Sequence, residues 1–229
     1  MSSFKEKTQS FIALPIAKAL IALIGILIIG VLFDGGGSFF KLNTHTEMLG
    51  FVSRYAILAF GMTLVIITGG IDLSVGSVLG LSAVAFSLLT IHFGVPGYLA
   101  LPICVALGLA CGLVSGTLIG RFKLQPFIVT LAMMVFARGA AKVLSGGQKV
   151  STAVQIDGEY VFVEEPAIFE TLSGKVFGDT IFTATIIAAL VAFLCWILLS
   201  RLRFGRYLYA IGGNEESARL SGIPVIKQS

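Results

Sequence analysis

Chemistry needs polar atoms brought close together, and this chain gathers them in few places. The densest is Asn214-Glu215-Glu216-Ser217-Ala218, closed by Gly222 and Pro224. Asparagine can accept a backbone N–H at the start of a helix, carboxylates are favoured at the positive end of the helix dipole, and glycine followed by proline supplies a stop. The pattern predicts a helix of about two turns. So short a helix is marginal in water, because nucleation costs more than its few hydrogen bonds return, and it therefore needs something to dock against. What the cluster offers is a contact; no catalytic residue is expected.

Elsewhere the polar residues are sparser. Asp72 follows Gly69-Gly70-Ile71, a tight reversal between two apolar stretches. Its carboxylate can cap the next helix through the N–H of Ser74 or Val75; alternatively, an ionisable group at membrane depth marks a pathway or a contact. Arg138 and Lys142 lie four apart on one helix face. They either snorkel outward or pair with loop acids, or they line the outer mouth of a path where donors meet hydroxyls. Between 145 and 180 six carboxylates, Asp157, Glu159, Glu164, Glu165, Glu170 and Asp179, oppose only Lys149 and Lys175. No His or Cys stands among them, which argues against a transition-metal site, and no cofactor is expected. Cys104, Cys111 and Cys195 fall in apolar stretches as small fillers, and His45 and His92 receive no role. Gly35-Gly36-Gly37-Ser38 lacks the Gly-Lys-Ser/Thr ending of a phosphate cradle and reads as a flexible turn. No nucleotide-binding signature and no basic run suited to nucleic acid occurs.

What must position these groups is a set of membrane helices. The chain is 56% hydrophobic and only 12% charged, where soluble domains carry about 25% charged residues. Residues 11–33 would rise about 34 Å as a helix, enough to cross a hydrocarbon core of about 30 Å. Pro15 and Lys18 suit its first turns, and it lacks the cleavage site of a signal peptide. Further spans are expected at about 51–68, 73–91, 97–120, 127–144 and 181–199, making six in an all-α integral membrane protein. Gly108, Gly112, Gly116 and Gly120 recur every four residues and make one smooth face on which a neighbouring backbone can pack closely in lipid. Gly76 and Gly80 begin a shorter face on the third span. Arg121 and Lys123, with Arg201, Arg203 and Arg206, fall on one side of the membrane, and the acidic loop on the other. Positive charge is retained inside, so residues 1–10 and 200–229 are expected in the cytoplasm and 145–180 outside.

Two blocks carry a resemblance. Gly61-Met-Thr-Leu-Val-Ile-Ile-Thr-Gly-Gly-Ile-Asp-Leu-Ser-Val-Gly76, and the stretch from Phe204 to Ile223 with its Gly-Gly-Asn-Glu-Glu-Ser-Ala-Arg-Leu-Ser-Gly run, resemble the permease subunits of bacterial ABC importers for ribose, xylose, galactose and related sugars. The resemblance implies a type II importer-like permease whose domain covers 11–199. It implies that Glu216, Ser217, Ala218 and Gly222 match a coupling motif that rides in a cleft of a separate ATPase, with Ser217 in place of the usual first alanine. It also implies a second permease subunit, identical or not, and a periplasmic sugar-binding protein that lands on the 145–180 loop. The location implied is the bacterial inner membrane, and the mechanism alternating access. Members of that family continue through further spans, so the chain is expected to be a fragment, a truncated product or half of a split permease. A secondary carrier or channel, a non-transporting scaffold, and a 214–222 helix packed merely on its own domain remain as alternatives.

Overall fold

The computed structural model describes residues 15–34, 36–156 and 159–224. Two compact units divide the chain, one reaching to Leu49 and one starting at Gly50.

In the first unit, α1 (Pro15–Leu32) is an 18-residue apolar helix that starts on proline; residues 11–14 of the expected span lie outside the described residues. After it, the Asp34 carboxylate accepts the N–H groups of Ser38 and Phe39, each at 2.9 Å. These bonds tie Ser38 and Phe39 back to the end of α1; Gly35 of the expected turn lies outside the described residues. The Phe39 ring lies against Gly30, where a Cβ would overlap it, and meets His45 edge-on at 5.9 Å. α2 (Leu42–Ile67) then begins well ahead of position 51, where apolarity alone placed it. Its first turns, with Thr46 donating to the Asn43 carbonyl at 2.9 Å, are polar and carry no hydropathy signal.

In the second unit, α3 (Val75–Ser87) runs on through a π turn at Leu88–His92. α4 (Gly97–Gly120) and α5 (Pro126–Leu144) follow, α5 starting on proline, whose missing N–H costs nothing there. The 145–182 segment holds two small antiparallel hairpins, β1 (Ala153–Ile156) with β2 (Glu159–Phe162) and β3 (Lys175–Val176) with β4 (Ile181–Phe182), and the short helix α6 (Ala167–Ser173). α7 (Thr183–Ser200), α8 (Arg203–Gly213) and α9 (Glu215–Leu220) complete the chain. Among the described residues five helices are long and apolar enough to cross a membrane: α2, α3 with its π turn, α4, α5 and α7.

The core is small. Leu81 of α3, Cys111 of α4, and Met133 and Ala137 of α5 pack together, with Val78, Leu107, Ala140 and Ala141 around them. Outside it, Leu109, Leu113, Phe136, Leu190 and Phe193 are each more than half exposed. A water-soluble surface does not keep so many large apolar side chains bare; lipid tails solvate them. This is a multi-pass membrane protein.

The glycine stripe on α4 is largely open within the chain. A Cβ at Gly108 would make ordinary contact with Ser82 and Val78, and at Gly112, Gly116, Gly76 or Gly80 it would meet nothing within 4 Å; Gly120 is buried. Close approaches fall at other glycines. Gly50 lies against the Phe182 ring, and a Cβ at Gly97 would come within 2.6 Å of the Ile168 Cβ. Ser53 also donates to the Thr185 hydroxyl at 3.2 Å, joining α2 to α7.

The connections of this unit sort to opposite ends. The end of α3 and the turn after it meet the 145–182 segment: the Phe86 and Phe169 rings are 5.4 Å apart and His92 Nε2 lies 3.3 Å from the Ser151 carbonyl. At the other end, Lys123 meets Glu215 and Ile67 meets Gly212.

Candidate functional site

α7 ends at Ser200, and the chain turns into α8 so tightly that a Cβ at Gly205 would overlap the carbonyl of Leu199. Phe204, Leu208 and Ile211 recur at i, i+4 and i+7, a one-sided apolar stripe. Leu208 and Ile211 are buried, while Arg203, Arg206 and Tyr209 are exposed. The sequence reading took this stretch as the lead-in to one short helix and missed α8. At its far end Gly212 sits on the carbonyl of Ile67, the last residue of α2; any side chain there would overlap backbone.

Asn214 separates α8 from α9. Its backbone is extended at φ −163°, and its Oδ1 accepts the Ser217 N–H at 2.8 Å. The other end closes through Gly222 at φ +80°, whose N–H donates to the Arg219 carbonyl at 3.0 Å, while the Ile223 N–H donates to the Ala218 carbonyl at 3.1 Å. This paired closure, with a left-handed residue at its centre, is what a glycine makes affordable. Ile223 then packs with Ala218, Ile211 and Ala210, so the one buried residue of α9 holds it against α8.

The polar groups of α9 divide by face. Glu215 accepts from Lys123 at 3.1 Å, tying the helix to the α4–α5 connection. Glu216 accepts from Arg219 at 2.6 Å, and its hydrogen bond and charge raise the Arg219 pKa above its already high value. Both pairs are solvent-exposed, so water and salt screen them and neither does much to hold the fold together. Leu220 is 79% exposed at the tip of this otherwise polar helix. Sequence reasoning overlooked Lys123, Arg219 and Leu220 here; the one available signal for Leu220 was a bulky apolar residue standing alone between charged and polar neighbours.

A cavity of about 640 Å³ lies behind α9. It is walled by Gly69 to Asp72, by Gly112, Ser115 and Gly116 of α4, by Lys123 to Pro126, and by Ile211 and Glu215. Gly69, at φ +78°, ends α2. Asp72 Oδ1 accepts both the N–H and the hydroxyl of Ser74, at 2.7 and 2.6 Å, immediately before α3 begins at Val75. Thr130 on α5 donates to the Ile71 carbonyl at 3.2 Å, so the turn is stapled to the helix beside it. The structure thus brings the Asp72 turn, two of the α4 glycines and Glu215 to one cavity. Arg138 and Lys142 lie elsewhere, with Gly76 and Gly80 around a second pocket.

A capped helix with one exposed face packs on α8, which meets the end of α2 at Gly212, and reaches the α4–α5 connection through the Lys123–Glu215 pair. Residues 44–228 match the family model described as "Branched-chain amino acid transport system / permease component". The chain belongs to that family.

Other members give the permease family its detail. The ribose import permease protein RbsC of Escherichia coli (strain K12) is 40% identical over 212 residues, covering 92% of this chain and 62% of that protein. The fructose import permease protein FrcC of Rhizobium meliloti is 35% identical over 227 residues, 97% of this chain and 60% of that one. The autoinducer 2 import system permease protein LsrD of Enterobacter sp. (strain 638) is 38% identical over 169 residues, 74% of this chain and 49% of that one. The chain therefore spans about three fifths of the length of the first two, and about half of the third. No solved structure matches it significantly.

Proposed function

We propose that the chain is the membrane-spanning permease part of an ATP-driven importer that carries a monosaccharide across the bacterial inner membrane. The observation that carries this reading is α9: a six-residue helix, capped at both ends, buried only at Ala218, and joined to α2 and to the α4–α5 connection. A helix of that length holds its shape because its ends are tied, and its free face, with Glu216, Ser217 and Leu220, is left for a partner. The names of the relatives, import permeases for ribose and fructose, support the cargo class.

In this reading α9 enters a cleft of a separate ATPase subunit, which does the hydrolysis; the permease itself is not an enzyme. Residues 200–229 and 1–10 face the cytoplasm, and the 145–180 segment faces outward, where a periplasmic sugar-binding protein lands. The open glycine face of Gly112 and Gly116 packs against a second permease subunit or an additional helix. ATPase closure pushes α9, Gly212 passes the stroke to α2, and the packed helices rock between two arrangements around the path, with Asp72 holding the turn and Arg138 and Lys142 at its outer mouth. The test is co-purification from membranes with the cognate ATPase. The full chain should retain the ATPase, and Glu216→Arg or Gly222→Ala should lose it; retention by both variants would refute the contact.

A further inference from the structure

The second pocket, about 410 Å³, lies between α3 and α5. From α5 it takes Arg138 and Lys142; from the loop beyond, Ser145, Gln148 and Lys149; from α3, the surfaces of Gly76, Ser77 and Gly80. Lys149 is brought back over the helix by two left-handed glycines, Gly146 at φ +62° and Gly147 at φ +74°, the latter donating to the Lys142 carbonyl at 2.7 Å. Three cations converge, no carboxylate lines the pocket, and among the described residues none of the three is paired with one. A cation in the last turn complements the helix dipole, which accounts for Lys142 alone.

Ser77 is the second, independent sign. It is 8% exposed on this wall, and its Oγ is enclosed, with no hydrogen-bond partner among the described residues. A buried hydroxyl left unpaired costs free energy, and a rotation of this side chain toward the pocket would let a ligand's acceptor return it. The absent side chains of Gly76 and Gly80 face open space, so they leave volume on the same wall. The lining carries three cations and no carboxylate, with Ser145 and Gln148 able to donate or accept. A neutral sugar would leave those three charges without a counter-charge; an oxyanion supplies one and accepts from all three.

We propose that this pocket binds a phosphate-bearing ligand, its oxyanion held by Arg138, Lys142 and Lys149 and hydrogen-bonded by Ser77. The volume admits a group of monosaccharide size. The inference rests on the transport reading only in placing Arg138 and Lys142 on the path, and its test reads binding without any ATPase.

Full chain in nanodiscs of zwitterionic lipid is titrated with glucose 6-phosphate by calorimetry, with glucose and inorganic phosphate as comparators. Saturable binding of the phosphate ester, competed by inorganic phosphate and not shown by glucose, is expected. It should weaken about tenfold in Arg138→Gln and severalfold in Ser77→Ala and in Lys149→Gln, the last lying in an exposed loop where folding is safe. A parallel arm replaces part of the lipid with phosphatidylglycerol and follows thermal unfolding. A rise in midpoint that Arg138→Gln and Ser77→Ala abolish, without binding of the soluble ester, assigns the oxyanion to a lipid headgroup. If neither arm depends on Ser77 and Arg138, the proposal is overturned. ATPase capture by these variants is read separately, so its loss would indict the coupling reading and leave this one standing.

Discussion

Replacing Gly212 with alanine perturbs the joint on which force transmission depends. The new Cβ would lie on the Ile67 carbonyl oxygen and 2.9 Å from its carbon, where carbon pairs rest at about 3.5 Å or more. Both neighbours are backbone, so neither can swing aside, and α8 must lift from the end of α2. Such overpacking costs about 1–3 kcal/mol, offset by the helix preference of alanine over glycine, at most about 1 kcal/mol. The net expectation is roughly 1–2 kcal/mol, a factor of about 5–30 in local opening. Gly213 is the internal control, because a Cβ there meets nothing within 4 Å. Hydrogen exchange of the full chain in detergent reads the difference at the Gly69 and Asn214 amides, which donate to Ile66 and Ala210. Gly212→Ala should accelerate both by that factor and Gly213→Ala should leave them near wild type. Equal exchange in the two variants would refute the claim that this glycine is a close backbone joint.

Four further outcomes follow from the same geometry. Asn214→Ala should cost about 1 kcal/mol and speed exchange at the Ser217 amide, with Asn214→Asp retaining most of the cap. Gly222→Ala places a side chain at φ +80° and should cost about 1–2 kcal/mol, seen as faster exchange at Ile223, with Gly222→Asn milder. Lys123→Glu and Glu215→Lys should each weaken the tie and together restore it; a double-mutant cycle on thermal unfolding should give a coupling below about 1 kcal/mol that fades in high salt. Leu81→Ala, at the 2%-exposed centre of the α3–α4–α5 core, should lower unfolding stability by about 2–5 kcal/mol.

Much of this was legible before any coordinates, for physical reasons. Long apolar runs announced α4, α5 and α7 to within a residue or two, because in lipid a helix must be both apolar and continuous. Asn214 and Gly222 announced α9, because capping is local chemistry that needs no tertiary context. The first turns of α2 were hidden by the polarity of Asn43 to Glu47, and α8 was hidden behind arginines and glycines although Phe204, Leu208 and Ile211 carried its period. The glycines divide along the same line. Regular four-residue spacing made Gly112 and Gly116 conspicuous, yet they face open space in the chain, whereas Gly50, Gly205 and Gly212, with no pattern to mark them, are where backbones and rings approach. Spacing reports which residues share a face; only packing tells what that face meets. The cation pocket was half visible, since Arg138 and Lys142 share a helix face, but Ser77 and Lys149 join them only through the fold.

The most direct test of the account is the side of the membrane on which α9 lies. With the native cysteines replaced, single cysteines at Leu220 and at Phe162, both 79% exposed, are treated with a membrane-impermeant maleimide. The account predicts that Leu220→Cys labels only in inside-out vesicles and Phe162→Cys only in intact spheroplasts. Labelling of Leu220→Cys from outside the cell would contradict it, because no cytoplasmic ATPase could then reach the helix.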